Sequence, residues 1–207
     1  MQLIGMLDSP YVRRVAVAML TAHVPMEHKP ISLFRHIDAF RRLSPLLKAP
    51  TLIVEDGSAM VESGVILDYL GHRFPAIAAM RPRSMPAFRA LGTALTVMEK
   101  AVQLHYERAL RAEGERSESW RSRVMGQLAA GLNALEAAAP GEWFDGELGH
   151  ADVATACAFG FVQGMIGDIV ATPGYARLAA FAARAEALPA FRAAPAEDGV
   201  VAKAEAL

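Results

Sequence analysis

The chain has 207 residues, of which 53% are hydrophobic and 21% are charged. This balance is typical of a globular protein and excludes an intrinsically disordered chain. The formal net charge of −1 argues against a nucleic-acid partner, because binding to a phosphate backbone requires a basic surface.

The sequence carries no signal for secretion or for a membrane. Its first residues lack the basic start and long apolar run of a signal peptide, and Asp8 interrupts them early. The most apolar segment, 151–171, includes Asp152 and Asp168 and predicts a buried core helix. One cysteine, Cys157, excludes an internal disulfide and fits a reducing compartment. We therefore expect a cytoplasmic protein without a membrane partner, whose thiol is buried and inert.

The first 75 residues alternate between strand and helix patterns. Short apolar or alternating runs predict four strands, at 2–7, 28–33, 51–54 and 59–61. Helical periodicity predicts helices at 10–23 and 62–74, with a short polar helix or turn at 35–43. The resulting order, βαβαββα, is that of a small α/β layer.

The remainder of the chain has helical periodicity. Residues 76–85 read as a linker, because prolines cluster in and around them. Beyond this linker, helices are predicted at 85–112, 117–138, 150–166 and 174–187. No strand pattern returns. We predict two domains, an α/β domain at 1–75 and an all-helical domain at 86–207.

Ser9 and Pro10 follow the first predicted strand and begin the first predicted helix. Serine at the N-cap and proline at the first helical position are both favoured, so a plain helix start explains the pair. The same position also suits an anion, because a helix N-terminus offers unpaired N–H groups and partial positive charge. The Ser9 hydroxyl would then donate a hydrogen bond to that anion, for example a thiolate.

Pro50 precedes the third predicted strand and admits two interpretations. It simply starts the strand, or it forms a cis peptide bond with Ala49, which is the minority form of such bonds. A cis bond would turn the main chain of Ala49 outward, where it can pair with the backbone of a peptide-like ligand.

Glu62 and Ser63 open the helix after the fourth predicted strand. An acidic residue in the first turn of a helix is common and needs no ligand. Alternatively, the pair forms a pocket for a zwitterion. The Ser63 hydroxyl and the helix N–H groups would take a carboxylate, while Glu62 would take an ammonium group.

The order and spacing of these three motifs resemble the cytosolic glutathione transferase family, in particular its serine-type bacterial members. The matching segments are SPYVR at 9–13, SPLLKAPTL at 44–52, ESGVILDYL at 62–70 and ADVA at 151–154. The resemblance implies a thioredoxin-like N-terminal domain, an all-α C-terminal domain and glutathione as co-substrate. It also implies that Ser9 is the catalytic residue that contacts the glutathione sulfur.

The resemblance further implies how the rest of glutathione is bound. Ala49, through its main chain before a cis Pro50, would pair with the cysteinyl backbone. Glu62 and Ser63 would hold the γ-glutamyl end, and Lys48 would face the glycyl carboxylate.

The chain departs from the family pattern at several positions. Ser44, Leu47 and Ala49 replace the asparagine, glycine and valine that are usual in the middle motif. Leu47 has less backbone freedom than glycine. Gly149 replaces the capping serine or threonine three residues before Asp152, and glycine is a weaker N-cap.

A second, apolar substrate is expected between the two domains. The candidate lining residues are Tyr11, Phe34, Met98, Val102, His105, Tyr106, Trp120 and Phe161. Among them, His105 and Tyr106 carry groups that can protonate or polarise a leaving group. Each of the eight is also compatible with an ordinary core or interface position.

The leading functional hypothesis is a detoxifying transferase that activates the glutathione thiol for attack on a small hydrophobic electrophile. Disulfide exchange through the protein's own thiol is disfavoured, because serine stands where such relatives carry cysteine. Glutathione-dependent peroxidase, isomerase or dehalogenase activity is an alternative. A non-catalytic stress or translation-associated binding protein of the same fold is another. The resemblance implies a homodimer, and no metal-binding motif is present.

Overall fold

The computed structural model describes residues 1–170, 174–197, 199 and 201. The strands are β1 (Gln2–Ile4), β2 (Glu27–Lys29), β3 (Thr51–Ile53) and β4 (Ala59–Val61). The helices are α1 (Pro10–Thr21), α2 (Ile37–Leu43), α3 (Ser63–Arg73), α4 (Pro75–Ala79), α5 (Met85–Leu110), α6 (Glu118–Ala138), α7 (His150–Ile166), α8 (Ala176–Glu186) and α9 (Pro189–Ala193). The chain divides into two compact units. The N-terminal unit holds residues 1–81 and the described residues from 186 onward, and the helical unit holds residues 82–185.

The sheet of the N-terminal unit has the strand order β2-β1-β3-β4. β1 is parallel to β2 and antiparallel to β3, and β3 is antiparallel to β4. Ile4 pairs with Thr51, which pairs in turn with Val61. The end of β1, the start of β3 and the end of β4 therefore lie side by side at one edge of the sheet. This arrangement confirms the predicted thioredoxin-like domain and brings together the three segments that carry the sequence motifs.

Helix α1 forms the core of the N-terminal unit together with β1. Val12, Val15, Ala16 and Met19 are fully buried, as is Leu3 of the adjacent strand. Val17 and Ala18, on other faces of the helix, are also fully buried, so α1 is covered on several sides. The first turn of this helix is thereby fixed against the sheet.

The helical unit is built around the 26-residue helix α5, which contacts α6 and α7. Every residue of α7 from His150 to Phe159 is buried, which explains why apolar residues occur on all faces of this helix. In the described ranges, no helix combines the length and apolar character needed to span a membrane. The prediction of an all-helical second domain is confirmed for the described residues of this unit.

Two short helices were not predicted. α4 lies where the sequence predicts the start of the linker, and α9 follows the last predicted helix. Both begin with proline at the first helical position, at Pro75 and Pro189. Proline there supplies a preset φ without losing a hydrogen bond, so it starts these helices rather than breaking the chain.

The C-terminal segment returns to the N-terminal unit, whereas the predicted boundaries assigned it to the helical domain. Arg13 of α1, whose side chain is 3% exposed, forms a bidentate ion pair with Glu186 at 2.5 and 2.6 Å. Its Nε also donates to the carbonyl oxygen of Ala194 at 2.8 Å, and its guanidinium lies over the ring of Phe191. These contacts attach α9 to α1.

Candidate active site

Ser9 lies at the N-cap of α1, as the sequence predicts. Its hydroxyl oxygen accepts a long hydrogen bond of 3.4 Å from the N–H of Val12. Its carbonyl oxygen accepts the first helical bond, from the N–H of Arg13 at 2.9 Å. Ser9 is half-buried. Because the side-chain oxygen only accepts from the helix, its proton remains available to a ligand at the positive end of the helix dipole.

The peptide bond between Ala49 and Pro50 is cis, as the family resemblance implies. Ala49 lies beside Gly5, the residue that follows β1. The two residues are so close that a Cβ added to Gly5 would stand 3.1 Å from the Cβ of Ala49. Among the described residues, none hydrogen-bonds to the N–H or C=O of Ala49. A short length of backbone without a main-chain partner among the described residues is thus presented next to the loop that carries Ser9.

Glu62 caps its own helix. It is exposed, and its Oε2 accepts hydrogen bonds from the N–H groups of Gly64 at 3.0 Å and Val65 at 3.1 Å. Those N–H groups were expected to bind a ligand carboxylate, and Glu62 occupies them instead. The φ of Glu62 is 75°, which is unusual for a residue with a side chain and costs about 1–3 kcal/mol.

Ser63 is buried beside an arginine that the sequence interpretation missed. Arg14 of α1 is 3% exposed, and its Nη1 donates to the Ser63 Oγ at 3.0 Å. The Ser63 hydroxyl can donate in turn, and it lies 3.4 Å from Oε1 of Glu62. Arg14 therefore adds a buried positive charge directly behind the Ser63 hydroxyl. In the sequence, the sign of this role is a second arginine, Arg14, in a predicted helix that is otherwise mostly apolar.

Lys48 is exposed and follows a residue with unusual backbone geometry. The φ of Leu47 is 48°, in the left-handed region where the family pattern has glycine. The carbonyl oxygen of Lys48 accepts a hydrogen bond from the Thr51 hydroxyl at 2.7 Å. Leu47 thus adopts the left-handed conformation that glycine adopts most easily, although leucine carries a side chain.

The residues predicted to line an apolar site are divided between the two units. In the N-terminal unit, Tyr11 is half-buried in the first turn of α1 and Phe34 is 55% exposed. In the helical unit, the ring of His105 lies 5.9 Å from that of Tyr106 and 5.9 Å from that of Phe161. These three therefore form a local aromatic cluster on α5 and α7.

The other three candidates in the helical unit differ in exposure. Met98 is fully buried and belongs to the core of this unit, whereas Val102 is half-buried. Trp120 is 43% exposed in the first turn of α6. Tyr106 at 38% and Trp120 are thus the most exposed of the candidates in this unit.

Asp152 performs the capping role that its position predicts. Its two carboxylate oxygens accept hydrogen bonds from the N–H groups of Phe144 at 3.0 Å and Gly149 at 2.9 Å. Burial raises the pKa of Asp152, and the two hydrogen bonds oppose that rise.

Cys157 is 2% exposed within α7, as expected of a core thiol. Within the described ranges, no group of three or more His, Cys, Asp and Glu side chains is arranged to hold a metal ion.

Comparison with known proteins agrees with this geometry. Residues 3–79 match the family model described as "Glutathione S-transferase, N-terminal domain". An uncharacterised GST-like protein of Escherichia coli K12, YibF, is 26% identical over 172 residues, which cover 79% of this chain and 82% of that protein.

Solved structures are similar over nearly the whole chain. A glutathione S-transferase from Methylobacillus flagellatus KT with glutathione bound has a TM-score of 0.83 at 24% identity, covering 93% of this chain and 98% of that one. A glutathione transferase family member from Pseudomonas fluorescens Pf-5, with bound S-(propanoic acid)-glutathione, has a TM-score of 0.78 at 26% identity, covering 93% and 97%. Residues 3–79 thus match the N-terminal domain of glutathione S-transferases, and the chain shares the fold of these solved structures over 93% of its length.

Proposed function

We propose that this protein is a glutathione transferase that activates the glutathione thiol for attack on a small hydrophobic electrophile. The observation that carries the proposal is the convergence of Ser9, the Ala49–Pro50 segment and Ser63 at one edge of the sheet, set by the pairing of Ile4, Thr51 and Val61. The glutathione and glutathione derivative bound in the two similar structures support this assignment.

Glutathione carries two carboxylates, one ammonium group and one thiol, and the site offers a partner of suitable character for each. The Ser63 hydroxyl, supported by the buried Arg14, donates to the γ-glutamyl carboxylate. Glu62 is exposed and takes the ammonium group on the side of its carboxylate away from its own helix. Ala49 pairs through its main chain with the cysteinyl residue, and Lys48 takes the glycyl carboxylate.

The thiol is then left beside Ser9. A free cysteine thiol has a pKa of about 8.5 and is mostly protonated at neutral pH. Lowering that pKa by about two units requires roughly 2.7 kcal/mol of preference for the thiolate. A hydrogen bond from the Ser9 hydroxyl to the sulfur, together with the N-terminus of α1, supplies stabilisation of this size. Ser9 therefore acts as a hydrogen-bond donor, and it does not act as a base.

We further propose that the electrophile contacts the aromatic residues His105, Tyr106 and Phe161. The ring of His105 lies 5.9 Å from each of the other two rings, which supports a joint aromatic surface. The protein would act as a cytoplasmic homodimer in detoxification. The exposed apolar side chains of Met85 and Phe88 on α5 are consistent with a protein interface. The sole cysteine is consistent with a reducing compartment.

Calorimetric titration with glutathione tests the proposal, followed by turnover with an activated chloroarene and with an organic hydroperoxide. We expect binding in the wild type and at least a tenfold weaker affinity for Ser63→Ala, since about 1.4 kcal/mol is lost with one charge-assisted hydrogen bond. Ser58→Ala is the matched control, because Ser58 lies in an exposed turn and its hydroxyl bonds only to Asp56 among the described residues.

The pattern of results separates the candidate functions. Turnover of the chloroarene supports conjugation, whereas turnover of the hydroperoxide alone would assign the peroxidase alternative. If glutathione at millimolar concentration neither releases heat nor raises the Tm of the wild type, both enzymatic assignments are wrong and a binding protein of this fold remains.

A further inference from the structure

His28 lies at the middle of β2 and contacts the glycine that joins β1 to the Ser9 loop. Its side chain is buried, and its Nε2 lies 2.8 Å from the carbonyl oxygen of Gly5. Its Nδ1 accepts a hydrogen bond of 3.1 Å from the N–H of Val201 in the C-terminal segment. Both ring nitrogens of His28 are therefore engaged by backbone groups.

These partners determine the protonation state of the ring. An N–H group can donate only to a ring nitrogen that carries no proton, so Nδ1 is the acceptor. The proton then resides on Nε2, which donates to the Gly5 carbonyl oxygen. Burial also lowers the pKa of His28 and so favours the neutral ring. The ring is thus a neutral imidazole with a fixed tautomer.

Gly5 connects the two halves of the proposed thiol site. Its φ is +134°, a conformation that side chains rarely adopt. A Cβ at this position would stand 2.6 Å from Cγ2 of Val12 and 3.1 Å from Cβ of Ala49. The Gly5 peptide is therefore in close contact with the first turn of the Ser9 helix and with the residue before Pro50.

The backbone of Gly5 is held on both sides by β2. Its N–H donates to the carbonyl oxygen of Lys29 at 3.1 Å, and its carbonyl oxygen accepts from His28. Glycine has the widest range of backbone conformations, so a loop that starts at glycine depends on such external contacts. Without the His28 bond, one of the two restraints on this peptide is lost.

We propose that His28 is a positioning residue for the thiol site. By donating to the Gly5 carbonyl oxygen, it fixes the start of the loop 5–9 and thereby holds the Ser9 hydroxyl in register with Ala49. The contact with Val201 keeps the ring in the tautomer that can donate. This inference rests on the proposed role of Ser9 as donor to the glutathione thiolate.

Two matched variants separate the two contacts of the ring. In His28→Gln the side-chain amide reaches the position of Nε2 and can still donate to Gly5. In His28→Asn the amide oxygen takes the position of Nδ1, accepts from Val201 and leaves the Gly5 carbonyl oxygen without its donor. The two variants have similar polarity but opposite effects on the loop.

The thiol of bound glutathione is titrated by its ultraviolet absorbance in the wild type and in both variants, with kcat and KM measured alongside. For His28→Asn we expect the apparent thiol pKa to rise by about one unit and kcat at neutral pH to fall about threefold with the thiolate fraction, with KM for glutathione within about twofold. His28→Gln should stay within about twofold of the wild type in kcat. Backbone hydrogen exchange over residues 5–9 should quicken in His28→Asn alone.

Each other result contradicts the inference. If both variants keep the wild-type thiol pKa and exchange rates, His28 does not position the loop. If both lose kcat, binding and stability together, its role is general support of the fold. If the wild type binds no glutathione thiolate, the proposed function itself fails and the inference with it. The exchange rates would then still report whether His28 restrains the loop.

Discussion

Helices α7 and α3 each begin beside a carboxylate that accepts hydrogen bonds from two backbone N–H groups, yet the surroundings of these two carboxylates are opposite. At the start of α7, Asp152 is 1% exposed and bonds to the N–H groups of Phe144 and Gly149. At the start of α3, Glu62 is exposed and bonds to those of Gly64 and Val65.

The backbone conformation of the two N-cap residues also differs. The N-cap of α7, Gly149, has an ordinary extended φ of −128°, whereas the φ of Glu62 is 75°. Unfavourable backbone geometry persists where the surrounding structure enforces it, and it concentrates at functional sites. The strained start of α3 adjoins Ser63 and the buried Arg14, while the relaxed start of α7 adjoins core side chains. Similar capping chemistry therefore lies beside the proposed ligand-binding residues in one unit and beside the core in the other.

The largest effect on folding is expected from Asp152→Ala. This change leaves two N–H groups without their acceptor inside the protein, which should lower the free energy of unfolding by about 3 kcal/mol. Urea denaturation measures the loss. Asp152→Asn keeps one acceptor oxygen and should lose about half as much. A loss below about 1 kcal/mol for Asp152→Ala would show that water or a neighbour replaces the carboxylate.

Glu62→Gly should have the opposite profile. Glycine relieves the strain of the positive φ, and glycine at an N-cap is only slightly less stable than the preferred capping residues. The free energy of unfolding should therefore change by less than about 1 kcal/mol. Affinity for glutathione should fall at least about tenfold with the loss of the ammonium contact. Calorimetry and urea denaturation on the same samples check both values, and unchanged affinity would remove Glu62 from the binding site.

A smaller effect should appear in the pH dependence of stability. Burial raises the pKa of Asp152 in the folded state, so the folded protein retains this proton at a pH where the unfolded chain has released it. This contribution to stability is complete below the unfolded pKa of about 3.9 and is lost as pH rises through the folded value. The stability of the wild type relative to Asp152→Asn should therefore decrease from pH 4 upward. An increase would mean that the hydrogen bonds from Phe144 and Gly149 outweigh burial.

The sequence predicts the elements near the candidate site because the signals there are local. Ser9 and Pro10 form a capping pattern within two residues, and short apolar runs predict the positions of the four strands along the chain. Signals of this kind depend only on residues that are adjacent in the sequence. The left-handed backbone of Leu47 was not predicted, although it occurs where the family pattern has glycine.

The interactions that were missed join residues far apart in the sequence. Arg14 reaches Ser63 across 49 positions, and Arg13 reaches Glu186 across 173. Hydrophobic periodicity carries no information about such pairs. Neither the hydrogen bond from Arg14 to Ser63 nor the return of the C-terminal segment was therefore predicted. The role of Glu62 was misjudged in part for another reason. A carboxylate beside free N–H groups can accept from them or leave them to a ligand, and only the conformation decides.

The most direct test of the account is the thiol titration of bound glutathione in Ser9→Ala, with Ser117→Ala as the control. Ser117 caps α6 with the same bond to the third following N–H, at 3.3 Å against 3.4 Å for Ser9. Both variants should lose a similar, small amount of stability, about 0.5–2 kcal/mol. In Ser9→Ala alone, the thiol pKa should rise by about 1.5 units, since the N-terminus of α1 still contributes, and turnover at neutral pH should fall roughly tenfold with the thiolate fraction. An unchanged titration and rate in Ser9→Ala would contradict the assignment of Ser9 as the thiolate donor.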